Sequence, residues 1–179
     1  MITALYLLAL QGLIGAFDTL YYHEWKAKLP ALGRRAAKEL RLHAVRDLLY
    51  AILFVGLALF EWRGSWAIVL AAVLALEIVF TLWDFVVEVV VRKPLGDVYA
   101  GERVTHAVMG ILYGAMLVFL LSTLGDWWMT TTALTESTVS PALKWFLLLM
   151  GVGVFLSGVR DTLASLELPG SSWPWRGST

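Results

Sequence analysis

The sequence predicts an all-α integral membrane protein with five transmembrane helices, and three observations carry that prediction. The chain has 179 residues, of which 59% are hydrophobic, and its mean hydropathy is strongly positive. A soluble domain of this length does not need so much apolar sequence. Five apolar runs, at roughly 2–22, 44–62, 66–91, 104–124 and 142–160, are each long enough to cross about 30 Å of hydrocarbon as a helix. The basic residues fall almost entirely on one side of these runs. They follow the first (Lys26, Lys28, Arg34, Arg35, Lys38, Arg41, Arg46), the third (Arg92, Lys93, Arg103) or the fifth (Arg160, Arg176), leaving only Arg63 and Lys144 opposite. The positive-inside bias then puts the N-terminus outside and the C-terminus in the cytoplasm. The expected location is a plasma membrane of the bacterial inner-membrane kind.

Each span can be justified in turn. The first lacks a basic n-region and reads as a retained helix, not a signal peptide; it carries Gln11 and Asp18. In the loop that follows, Pro30 is well placed to open a second helix before it enters lipid. Glu39, His43 and Asp47 lie in the opening turns of span 2. Residues 61–65 make a short outer turn. Span 3 bears Glu77, Thr81, Asp84 and Glu88, whose steps of four, three and four place them on one helical face. Glu102 and His106 open span 4, residues 126–141 form an outer loop, and span 5 ends near Arg160 and Asp161. Trp62, Trp66, Trp127 and Trp128 are expected to belt the outer interface, with Trp25, Trp173 and Trp175 at the inner one. The tail, 169–179, reads as a loosely ordered Pro/Gly/Ser/Trp segment, leaving one transmembrane domain over 1–168.

The chain also repeats itself. Glu39-Leu40-Arg41-Leu42-His43-Ala44-Val45 returns, 63 residues on, as Glu102-Arg103-Val104-Thr105-His106-Ala107-Val108. An offset of 66 maps Gln11 onto Glu77 and Asp18 onto Asp84, and one of 64 maps Pro30 onto Pro94. Repeat A (1–62) and repeat B (66–124) are thus two hairpins in the same orientation. They are expected to form a four-helix core, with the helix of 142–165 as an addition. Repeats in membrane proteins commonly place the functional site between the halves.

All three histidines and most of the acids gather at the cytoplasmic helix ends. Carboxylates in or near lipid are expensive and need partners. Residues four apart on a helix lie about 6 Å from each other on one face, so Glu39 with His43, and Glu102 with His106, would each clasp one cation. Glu24 and Glu88 are the candidate bridging carboxylates, and Asp18 and Asp84 are further ligands or acceptors for imidazole N–H groups. His23 and Asp47 are expected to support those ligands. On helical phase, however, Glu88 matches Tyr22 better than Glu24. Glu77 lies about 10 Å deeper than Asp84, at 1.5 Å per residue. It suits a hydrogen-bonded proton-relay role with Gln11 better than ligation.

This inventory resembles the helical-bundle di-iron and di-manganese carboxylate proteins. The likeness covers residues 18–106 and departs from their pattern, since those bundles pair Glu and His three apart and this chain four apart. It implies two divalent metal ions, iron first, with manganese or zinc as alternatives. The function it implies is redox chemistry on a hydrophobic or quinone-like substrate. Two further classes fit the same residues: a two-metal lipid or phosphoester hydrolase, and a metal-ion or proton-coupled transporter. A competing reading is a salt-bridge network in which Arg35, Arg41, Arg46, Arg92 and Arg103 hold helix ends together. Absence of cysteine excludes disulfides and thiolate ligation. The phosphate-binding loops, dinucleotide fingerprints and eight-histidine boxes of other enzymes are missing, and the basic residues follow topology, not a nucleic-acid surface. Partners are therefore the bilayer, a small apolar molecule, and further copies of the chain packed through Gly110, Gly114, Gly151, Gly153 or Gly158.

Overall fold

The computed structural model describes residues 1–173. The expectations for Trp175 and Arg176, and for the last part of the tail, lie outside the described residues. Helix α1 (Ile2–Phe17) continues as a π-helical segment over Asp18–Lys26. A short helix α2 (Leu29–Leu32), opened by Pro30, and a 3₁₀ turn (Gly33–Ala36) lead into α3 (Ala37–Leu59). Strand β1 (Phe60–Arg63) is followed by α4 (Trp66–Arg92) and α5 (Ala100–Trp128). Strand β2 (Ala133–Glu136) and α6 (Pro141–Ser165) complete the described chain. The five long helical stretches are all long and apolar enough to cross a membrane, as the hydropathy of the sequence requires.

The two strands come from segments expected to be an outer turn and an outer loop. They pair antiparallel, Phe60 opposite Glu136 and Arg63 opposite Ala133, because backbone groups leaving helix ends need partners. This pairing ties the end of α3 to the start of α6. Trp62 folds back to donate its indole N–H to the Gly56 carbonyl at 3.2 Å. Trp62 and Trp127 are buried, and only Trp66 and Trp128 of the expected outer belt are exposed.

The helices pack in a ring: α1 against α5 and α6, α6 against α3, α3 against α4, and α4 against α5. Helix α6 thus stands between α1 and α3 instead of lying outside a four-helix core. The reason is the glycine content of its inner face. A Cβ at Gly151 would come within 2.7 Å of Val55, and one at Gly158 within 2.9 Å of the Asp47 Cβ and 3.2 Å of the Ala44 carbonyl oxygen. Only glycine lets the two backbones approach this closely. Gly110, Gly114 and Gly153 have open space where a Cβ would stand, so they are not packing positions within the chain.

Leu5, Leu8, Leu53, Leu57, Leu70, Leu120 and Leu147 fill the half of the ring nearer the strands. The other half is polar. On α4, Glu77, Asp84 and Glu88 are buried, and Arg92 continues the same stripe one turn further; Leu82, Trp83, Val86 and Val90 on the opposite side are exposed. The 27 residues of α4 span about 40 Å at 1.5 Å per residue, against about 30 Å of hydrocarbon. The helix is thus longer than the hydrocarbon layer, and Glu88 and Arg92 fall in its last turns. Beyond the spans, Asp97 accepts from the Val98 N–H at 2.7 Å and from Arg103 at 2.9 Å. These contacts hold its carboxyl below the usual range, the backbone N–H being the larger cause.

Candidate metal centre

The π-helical segment shifts the helical phase over Asp18–Lys26. In an α-helix, residues five apart diverge around the axis. Bonds from i to i+5 widen the turn, as in Ala27 N–H to Tyr22 C=O at 2.8 Å, and bring residues five apart onto one face. Asp18 and His23 consequently meet, with His23 Nε2 3.4 Å from Asp18 Oδ2. Asp18, His23 and Glu24 are all buried in this segment.

His106 is the centre of the cluster. Its Nε2 lies 3.0 Å from Asp18 Oδ2, and its Nδ1 lies 3.5 Å from Glu88 Oε2. Two groups could hold a metal ion, each with ligand atoms within 4.8 Å of one another: Asp18, His23 and His106, and Glu88, Glu102 and His106. They share His106, one on each side of the ring. Asp18 Oδ1 and Glu88 Oε1 are buried without a hydrogen-bond partner. His23 Nε2 stands 3.2 Å from Glu102 Oε1 and also meets hydrogen-bond geometry with no acceptor. Unpartnered buried polar atoms are rare and ask for an explanation such as an ion.

The rings are stacked in order. His43 lies parallel to His23 with centroids 4.7 Å apart; His106 stands edge-on to His23 at 6.1 Å; Phe85 covers the other face of His106 at 5.2 Å. This packing fixes the imidazole planes, which a ligand set requires.

The remaining expected ligands meet arginine. Arg92, which is 1% exposed, donates Nη1 to Glu39 at 3.1 Å and to Glu102 Oε1 at 3.3 Å, and Nη2 to Glu102 Oε2 at 3.2 Å. Glu102 also caps the start of α5, accepting from the Tyr99 N–H at 3.2 Å. A cation in the second group would therefore share Glu102 with Arg92. Asp84 accepts from Arg46 at 2.5 Å and lies 3.4 Å from His43 Nε2. Glu24 pairs with Arg160. Asp47 lines a cavity beside His43. So the structure brings Asp18, Glu88, Glu102 and His106 together, along with His23, which the sequence placed in a supporting role. Glu24, Glu39, His43 and Asp84 stand around this group in contact with Arg160, Arg92, Asp161 and Arg46.

Sequence reasoning missed Asp161, whose Oδ2 lies 3.7 Å from His43 Nδ1, because α6 was read as an addition. Its signal was a buried-side acid at the end of an apolar run. Arg46 and Arg92 stand where the salt-bridge reading wanted them, whereas Arg103 turns to Asp97. Arginines do not complete the neutralisation. Buried Asp18, Glu24, Glu39, Asp84, Glu88, Glu102 and Asp161 outnumber Arg46, Arg92 and Arg160, the arginines paired with members of this group. With neutral imidazoles about four negative charges remain, too many for a region of low dielectric without protons or cations.

Deeper in the bundle, Thr81 Oγ1 donates to Glu77 at 2.5 Å, and Tyr113 Oη donates to the Leu74 carbonyl at 3.4 Å. Gln11 Nε2 donates to Tyr50 Oη at 3.2 Å and not to Glu77.

The class these features define is a helical protein with five candidate membrane spans and buried His and carboxylate groups that could hold a metal ion. Comparison of the chain with protein-family models, with curated proteins and with solved structures gives no match.

Proposed function

We propose that the chain is a membrane-embedded, metal-dependent oxidoreductase. Two divalent cations would sit on His106 and its neighbours near the cytoplasmic face, and the substrate is a hydrophobic molecule from the bilayer. The observation that carries this reading is His106 between two ligand groups, Asp18 with His23 and Glu88 with Glu102, while Asp18 Oδ1 and Glu88 Oε1 lack partners. Mixed imidazole and carboxylate donors suit iron, with manganese and zinc as alternatives. Iron on such donors supplies one- and two-electron redox chemistry. The cytoplasmic placement follows from the basic residues, and the duplicated Glu-x-x-x-His supplies one element of each repeat, though the two copies serve differently. The chain's own residues hold the rings in place, screen the acids with Arg46, Arg92 and Arg160, and exclude water behind Phe85.

Elemental analysis of protein purified anaerobically tests this. About two metal ions per chain are expected, and His106→Ala should remove both because the ring is shared. Less than about one per chain, unchanged by His106→Ala, would sink the proposal. Iron with visible absorption on oxidation separates it from a two-metal hydrolase.

The Glu77 cluster favours a second reading, a metal-ion or proton-coupled transporter whose path continues outward through Glu77 and Gln11. That reading requires ion flux in proteoliposomes that Glu77→Gln abolishes.

A further inference from the structure

A cavity of about 250 Å³ lies between α1, α3 and α6. At its inner end it touches Asp18, His23, His43 and Asp161, and it runs past Arg46 and Tyr50 to Gln11. Phe54, Met109, Met150 and Val154 make its walls apolar. Gly12 and Gly15 of α1 and Gly153 of α6 are among its lining residues. Leu13, Val152 and Leu156, on the same two helices, are exposed apolar side chains. Nothing lies within 4 Å of a Cβ built at Gly153. This glycine keeps space open instead of allowing two helices to touch.

Size, charge and hydrogen bonding narrow the occupant. The volume is below the roughly 300–1,000 Å³ of drug-sized pockets, enough for one substituted ring and not for a whole lipid. Three acids, Asp18, Asp47 and Asp161, line it and oppose an anionic head. A cation would meet the Arg46 guanidinium, which also lines the cavity. Besides Asp18 Oδ1 and His23 Nε2, already placed in the candidate metal groups, two buried atoms of lining residues lack partners: Gln11 Oε1, which needs a donor, and Arg46 Nε, which needs an acceptor. A neutral ring bearing hydroxyl groups answers both, and methionine thioethers pack well against a ring.

We infer that this cavity binds a neutral, lipid-soluble molecule of the quinol or phenol class, entering from the bilayer, with a hydroxyl donating to Gln11. The inference deepens the oxidoreductase reading by naming its substrate class; the binding itself needs no metal.

The test is binding of duroquinol to the full chain in lipid nanodiscs under anaerobic conditions, followed by saturation-transfer NMR. Its dimethyl ether, which cannot donate, and dodecanoate serve as comparison ligands. Saturable binding of duroquinol is expected, at least about tenfold weaker for the ether. Gly153→Leu, which fills the cavity, and Gln11→Leu, which removes the acceptor, should each weaken binding by a similar factor while circular dichroism stays unchanged. Failure of duroquinol to bind, wild-type affinity in both variants, or equal binding of the ether or dodecanoate overturns the inference. Metal is measured on the same samples. Metal present with no quinol bound removes this inference and spares the metal centre, and quinol bound without metal does the reverse.

Discussion

Replacing Arg92 by methionine gives the sharpest prediction about what holds the polar half of the bundle together. The guanidinium lies 3.1 Å from Glu39 and 3.2 Å from Glu102, and neither acid is exposed at all. At an effective dielectric of about 20, each such contact is worth about 5 kcal/mol before desolvation is subtracted. Desolvation cancels most of that gain. Deleting the cation alone is a different matter, because two buried carboxylates are then left facing one another. The expected loss is about 3–5 kcal/mol, which for a chain of this size lowers the unfolding midpoint by about 6–20 °C. Arg92→Lys keeps the charge but loses the fork that grips both oxygens of Glu102, so it should fall between wild type and Arg92→Met. Removing the acids as well should restore stability: Arg92→Met with Glu39→Gln and Glu102→Gln is expected within about 1.5 kcal/mol of wild type. The assay is equilibrium unfolding in mixed micelles, run as a double-mutant cycle between Arg92 and Glu102. A coupling below about 0.5 kcal/mol, or an Arg92→Met midpoint equal to wild type, would refute the reasoning.

Gly158→Ala should destabilise by about 1–3 kcal/mol through its clash with Ala44 and Asp47, whereas Gly114→Ala, in open space, should stabilise by about 0.5–1 kcal/mol; thermal unfolding of the pair compares them directly. Glu77→Leu leaves the Thr81 hydroxyl without its acceptor and is expected to cost about 1–3 kcal/mol, while Glu77→Gln should cost less and leave metal content unchanged. Because the folded state holds Asp97 below the ordinary carboxyl value, its contribution is present at neutral pH and lost as pH falls through that lowered value. The stability gap between wild type and Asp97→Asn should therefore close on acidification, which unfolding midpoints across a pH series will show.

Hydropathy alone makes the five spans legible, since each must fill a bilayer with apolar side chains. The buried stripe on α4 is legible too, because the steps from Glu77 to Glu88 match helical periodicity, and Arg92 was readable one turn on. The π-helical segment was not. Nothing in Asp18-Thr19-Leu20-Tyr21-Tyr22-His23 announces a wider turn, and the only hint was a phase mismatch between Glu24 and Glu88. That one widened turn puts His23 among the candidate ligands. The place of α6 was hidden for another reason: glycines show that a helix can pack closely without showing which neighbour it meets. Asp161 was lost with it. Glu39 illustrates a limit of local spacing, since it shares a helix face with His43 yet meets Arg92 from another helix.

The measurement that bears most directly on the metal centre is anomalous scattering at the iron and manganese edges from crystals of the full chain. The account predicts peaks on both sides of the His106 ring, one beside Asp18 and His23 and the other beside Glu88. No anomalous peak there, with ordered protons or water joining His106 to Asp18 and Glu88, would contradict it.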